Sequence, residues 1–181
     1  MSLPLNTIEL RVERRPAEPP GEREDYSVTT IVVDGRDIAE WVPGSRMIGQ
    51  DPDDMLIPTS PLLPAAAPRR VSVYRCGCCG DSAEDSITPL ISAVDGLVVW
   101  SDERHWNCVL ARPLPVWVGY CPTEGPVVEQ CPHEGKVVGL PDFVFDGHRY
   151  AGEVARATAD LSWETADRTA ARLLARGQPG S

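Results

Sequence analysis

Hydrophobic and polar positions alternate over Asn6–Glu13, with Ile8, Leu10 and Val12 on one side, and this period of two predicts a strand. The run YSVTTIVV at 26–33 is β-branched almost throughout and predicts a second strand, closed by the turn pair Asp34-Gly35. Residues 71–75, 87–94, 97–101, 116–120 and 143–145 read as further strands. Two of these, 87–94 and 97–101, flank Asp95-Gly96, a two-residue hairpin signal.

The period changes at both ends of the strand-rich part. Arg36–Val42 predicts a short helix stopped by Pro43-Gly44, with Ile38 and Trp41 facing inward. Near the C-terminus, Tyr150, Val154, Ala157 and Leu161 recur at helical spacing, with Asp146 as N-cap. Ser162 is placed to cap a second helix carrying Trp163, Ala166, Ala170 and Leu173 or Leu174 on one face. Between the early strands and the cysteines, residues 44–68 hold five prolines and little periodicity, which predicts a long irregular loop. Strands followed by a helical tail point to an α+β fold: an antiparallel twisted β-sheet with two C-terminal helices and long Pro-rich loops. The 181 residues fit one domain, mainly β over 1–145 with the insertion at 44–68, and helical over 146–177.

Charge narrows the list of partners. A net charge of −10 lacks the basic excess that binding phosphates requires, so neither nucleic acid nor an anionic membrane is expected as a partner. No apolar run approaches the ~18 residues of a membrane span. MSLPLNTIELRVERR also lacks the apolar core of a secretory signal, so a soluble, cytoplasmic protein is expected. Acidic clusters at Glu22/Glu24/Asp25, Asp51/Asp53/Asp54 and Asp81/Glu84/Asp85 read as solvated loop charge, or as a docking surface for a basic protein.

Candidate chemistry centres on the six cysteines. Cys76 and Cys79 form a C-x-x-C pair, a spacing that lets two thiolates converge on one tetrahedral ion. Cys121, Cys131 and His133 supply donors for a second pair; Cys121 and Cys131 each open a Cys-Pro-x-Glu-Gly pseudo-repeat that suggests a hairpin. Three states are open for these thiols: a structural zinc ion held among Cys76, Cys79, Cys121, Cys131 and His133, free thiols, or a Cys121–Cys131 disulfide. A thioredoxin-like role is disfavoured, because DSAEDSITP is a poor helix start and such thiols sit at a helix N-terminus.

A nucleophilic enzyme would need a histidine oriented toward a Cys or Ser. Of His105, His133 and His148, only His133 adjoins a cysteine, and Pro132 stiffens that pair. No phosphate loop, G-x-S-x-G or H-E-x-x-H is present. Trp100 and Trp117 read as core, and Trp106 as a possible anchor for a partner.

The segments TTIVVDGRDIAEWV, YRCGCCGD, ITPLISAVDGLVVWSD and PDFVFDGHRY together resemble a group of uncharacterised actinobacterial proteins of this size. That group carries a C-x-x-C-G-D knuckle, matched by Cys76, Cys79, Gly80 and Asp81. Its V-x-W-x-D strand is matched by Val98–Asp102, and its late F-x-F-D-x-x-x-Y segment by Phe143, Phe145, Asp146 and Tyr150. Its further cysteine is absent, since Ala83–Asp85 stand in that place. The resemblance implies architecture only. An acidic, loop-rich single domain without a catalytic constellation leads to the expectation of a non-enzymatic accessory or protein-binding protein with a structural cysteine cluster. Two alternatives stand beside it: a small metal- or thiol-dependent enzyme, and an immunity-type inhibitor of a basic partner.

Overall fold

The computed structural model describes residues 4–16, 26–42, 47–56, 60–76, 86–106, 119–121, 125–127, 136–137, 140–164, 168–170 and 173–174. The strands are β1 (Ile8–Arg15), β2 (Tyr26–Val33), β3 (Arg36–Asp37), β4 (Met47–Gly49), β5 (Arg69–Arg70) and β6 (Tyr74–Cys76). They continue with β7 (Ser86–Val94), β8 (Leu97–Trp106), β9 (Gly119–Cys121), β10 (Gly125–Val127), β11 (Lys136–Val137) and β12 (Phe143–Asp146). Two α-helices accompany them, α1 (Pro52–Leu56) and α2 (Gly147–Ala159). The α+β class with an antiparallel sheet is as the alternating pattern predicted.

One sheet runs β11-β8-β7-β6-β4, with β12 also on β8 and β5 on β7; a second runs β1-β2-β3. Two isolated bridges join them, Thr29 to Gln50 beyond β4 and Asn6 to Phe145 on β12. The pairings therefore form a circuit, β1-β2-β4-β6-β7-β8-β12 and back to β1, which curls the sheets around one core. Gly49 permits the first junction: a Cβ there would collide with the Thr29 carbonyl. Leu10, Ile31, Tyr74, Ile87, Ile91, Trp100, Phe143 and Phe145 are buried within it.

Both Asp-Gly pairs adopt the left-handed conformation that a two-residue hairpin needs, with φ of 51° and 81° at Asp34-Gly35 and 49° and 78° at Asp95-Gly96. The first turn makes a hairpin to β3, so the helix expected over 36–42 shortens to a 3-10 turn at Ile38–Trp41, which Asp37 caps by accepting from the Ala39 N–H. Ile38 is buried as expected, and Trp41 packs edge-on against Phe143.

The expected loop at 44–68 is corrected. Its described residues include β4 and α1 and send Met47, Met55, Leu56 and Leu62 into the core. The prolines hide this contribution, because they break periodicity without preventing burial. The strand expected at 71–75 is displaced to β6, although the Val71 and Val73 N–H groups still donate to the Pro89 and Ile87 carbonyls of β7.

Helix α2 begins at the predicted cap, with Asp146 accepting from the Arg149 N–H, and buries Tyr150, Val154 and Ala157. Leu161 lies beyond its end and is exposed, because the Asp160 N–H closes onto Ala157 and stops the helix. Trp163 is buried, and residues 168–170 and 173–174 of the expected second helix are helical, but Leu173 and Leu174, expected on the face of Trp163, are both exposed. Among the described residues no helix is long and apolar enough to cross a membrane.

Candidate functional site at the cysteine end of the sheet

Strand order decides which sequence candidates share a neighbourhood. Cys76 ends β6, and Tyr74, two residues earlier, pairs with Ile87 on β7. Ile87 pairs with His105 on β8, and His105 with Lys136 on β11. One row of the sheet thus links Tyr74, Ile87, His105 and Lys136. Two residues past this row Cys76 leads into the knuckle, and Lys136 follows the segment containing Cys131 and His133. Cys121 ends β9 opposite Gly125, in a separate two-stranded ladder. Cys79, Cys131 and His133 lie outside the described residues, as do Cys78 and Cys108. Among the described residues no group of three or more His, Cys, Asp or Glu side chains could hold a metal ion.

Just before this row the β7–β8 ladder is irregular. Leu90 pairs with Ser101 and Thr88 with Arg104, so Asp102 and Glu103 together oppose Pro89. Proline cannot donate to a ladder and sits at bulges for that reason. Asp102 takes the extra place with φ of 46°. Arg70, exposed on β5, holds the bulge together. Its guanidinium pairs with the Asp102 carboxylate and donates to the Asp102 carbonyl at 2.7 Å and the Thr88 carbonyl at 3.1 Å.

The bulge changes where the next side chain goes. Unbroken alternation from the buried Trp100 would turn Glu103 outward; the extra residue turns it inward, and it is 3% exposed. One of its carboxyl oxygens, Oε1, has no hydrogen-bond partner. Burial pushes the Glu103 carboxyl up to about 7. Its own backbone N–H opposes the rise, Asp142 and Asp102 add to it, and Arg70 opposes it. A buried carboxyl that titrates near neutrality is a group able to take or give a proton. Sequence reasoning missed it because S-D-E-R reads as solvated surface. The available signal was Pro89 in the middle of a strand.

The seam between β1 and α2 has the opposite character. A hollow of about 330 Å³ there is walled by Leu5, Ile8, Phe145 and Tyr150 with Arg149 at its rim. Its buried hydroxyl is already committed, since the Tyr150 O–H donates to the Leu62 carbonyl and accepts from the Trp100 Nε1–H.

No protein-family profile, curated protein or solved structure matches this chain.

Proposed function

We propose that this chain is a non-enzymatic, cytoplasmic accessory protein that binds another protein, with its cysteine end cross-linked by a structural zinc ion. The strand order of the main sheet supports this reading. β6 and β11 are separated by two strands, about 14 Å at ~4.8 Å per step. Cys79 is three positions on from Cys76 and Lys136 three on from His133, and three extended steps reach about 10 Å. Donors from the knuckle and from the Cys131–His133 segment therefore have the chain length to meet at one ion. The acidic net charge favours a partner with a basic surface.

Metal analysis of the purified chain tests the reading. One zinc per chain is expected, with a chelator removing it only as the fold loosens and with Cys76→Ser or His133→Ala lowering the zinc content. Six freely titrating thiols and no bound metal would sink it.

A small enzyme is the second reading, and Glu103 is the observation that favours it. In that case one cysteine would alkylate far faster than the rest, or the zinc would exchange a bound water for added ligands.

A further inference from the structure

We propose that Glu103 is a proton-operated latch on the end of β8. Protonated, it stays in the interior and keeps the pairing beyond the bulge closed; ionised, it leaves, and residues 104–106 detach from β7 and β11. This inference does not rest on the zinc reading.

The Glu103 carboxyl is nearly fully buried, and its Oε1 accepts from nothing. A neutral carboxyl tolerates such a place far better than a carboxylate, whose desolvation must be offset by partners. The charged groups of the described neighbouring elements give little help. Asp102 on β8 and Asp142 just before β12 are both acidic, and residues 86–90 of β7 hold no titratable side chain. Arg70 on β5 is the cation that faces Glu103, and its guanidinium is engaged by Asp102 and by two backbone carbonyls.

Among the described residues, what lies beyond the bulge is a short unit. Three residues, Arg104, His105 and Trp106, pair with Thr88, Ile87 and Ser86. On the other side, among the described residues, His105 and Arg104 meet Lys136 and Val137. A short pairing at the end of a ladder opens more readily than the core. A raised carboxyl near 7 sets the opening in the neutral range. In the sequence, the segments that follow β6 and β8 carry the cysteine knuckle and Cys108.

Hydrogen exchange on the full chain, read against the Glu103→Gln variant at the same pH, tests this. At pH 5.5 the amides of residues 86–88 and 104–106 should exchange alike in both proteins. At pH 8.5 they should exchange at least tenfold faster in the wild type, while β1 and β2 stay equally protected in the two. A wild-type to variant ratio that is flat with pH overturns the latch, and so does a loss shared equally by β1 and β2. Should the glutamine variant not fold, Asp142→Asn carries the test. With one opposing charge gone, opening should begin at lower pH, and an unmoved midpoint overturns the proposal.

Discussion

On α2, Glu153 is 16% exposed, accepts from the Leu10 N–H at 2.7 Å and is gripped by Arg156. On β8, Glu103 is 3% exposed and one of its oxygens accepts from nothing. Burial raises both carboxyls. At Glu153 the Arg156 guanidinium and the Leu10 N–H outweigh burial and hold the group below its ordinary value. At Glu103 the neighbours do not, and the group rises to about 7. The difference lies in what each side chain was brought to meet. The register turns the Leu10 N–H and C=O away from β2, and Glu153 and Arg156 occupy them as a neighbouring strand would; the Arg156 guanidinium reaches the Leu10 carbonyl at 2.6 Å. Two side chains from a helix thus cover an edge that would otherwise be open to pairing. Glu103 was turned inward by a bulge, and its Oε1 meets no hydrogen-bond donor there.

The largest effect should come from breaking the satisfied site. Glu153→Ala leaves the Leu10 N–H without an acceptor and the Arg156 guanidinium without its carboxylate. Urea unfolding at pH 7 should show a loss of about 2–3 kcal/mol. Glu153→Gln keeps an acceptor for Leu10 and should lose about 1 kcal/mol. Equal losses in the two variants would mean that the charge, rather than the cover over the strand edge, is what matters.

The next effect separates the two carboxyls by sign. The contribution of Glu153 is in place above its unfolded value of about 4.5 and is lost as pH falls through its lowered folded value. Glu103 does the reverse. Its folded value is raised from 4.5 to about 7, so stability is full below pH 4.5 and falls as pH rises through 7. The fall should be roughly 2–3 kcal/mol, less wherever local opening lets the carboxylate reach water first. Denaturant unfolding from pH 5 to 8.5 should show this decline in the wild type, and Glu103→Gln should flatten it. A wild type whose stability does not change over that range would show that Glu103 stays charged and satisfied.

The same contrast explains what the sequence made legible. The strand at 26–33 and both Asp-Gly turns stand as read, because alternation and left-handed turn residues are local signals. The helical face of Tyr150, Val154 and Ala157 is likewise local. Met47, Met55, Leu56 and Leu62 were not legible as core, since their burial depends on how a proline-rich segment folds back between β2 and β6. Glu103 was illegible for a sharper reason. One extra residue opposite Pro89 inverts the alternation, and everything beyond it changes face. Of the proposed ligands, only Cys76 and Cys121 fall within the described residues, both at strand ends.

The smallest effect asks what holds the bulge that separates these two fates. Asp102 contributes a left-handed backbone and an ion pair with Arg70, whose partners are about one-third exposed. An ion pair at that exposure is worth under about 1 kcal/mol. Asp102→Asn tolerates the backbone and loses the charge pair with Arg70, so it should cost less than about 1 kcal/mol. Asp102→Val loses the pair and also places a β-branched residue at positive φ, so it should cost about 1–2 kcal/mol more. If both variants lose the same amount by denaturant unfolding, the backbone is not under constraint there. Arg70 would then be the element that keeps the extra residue in place and Glu103 turned inward.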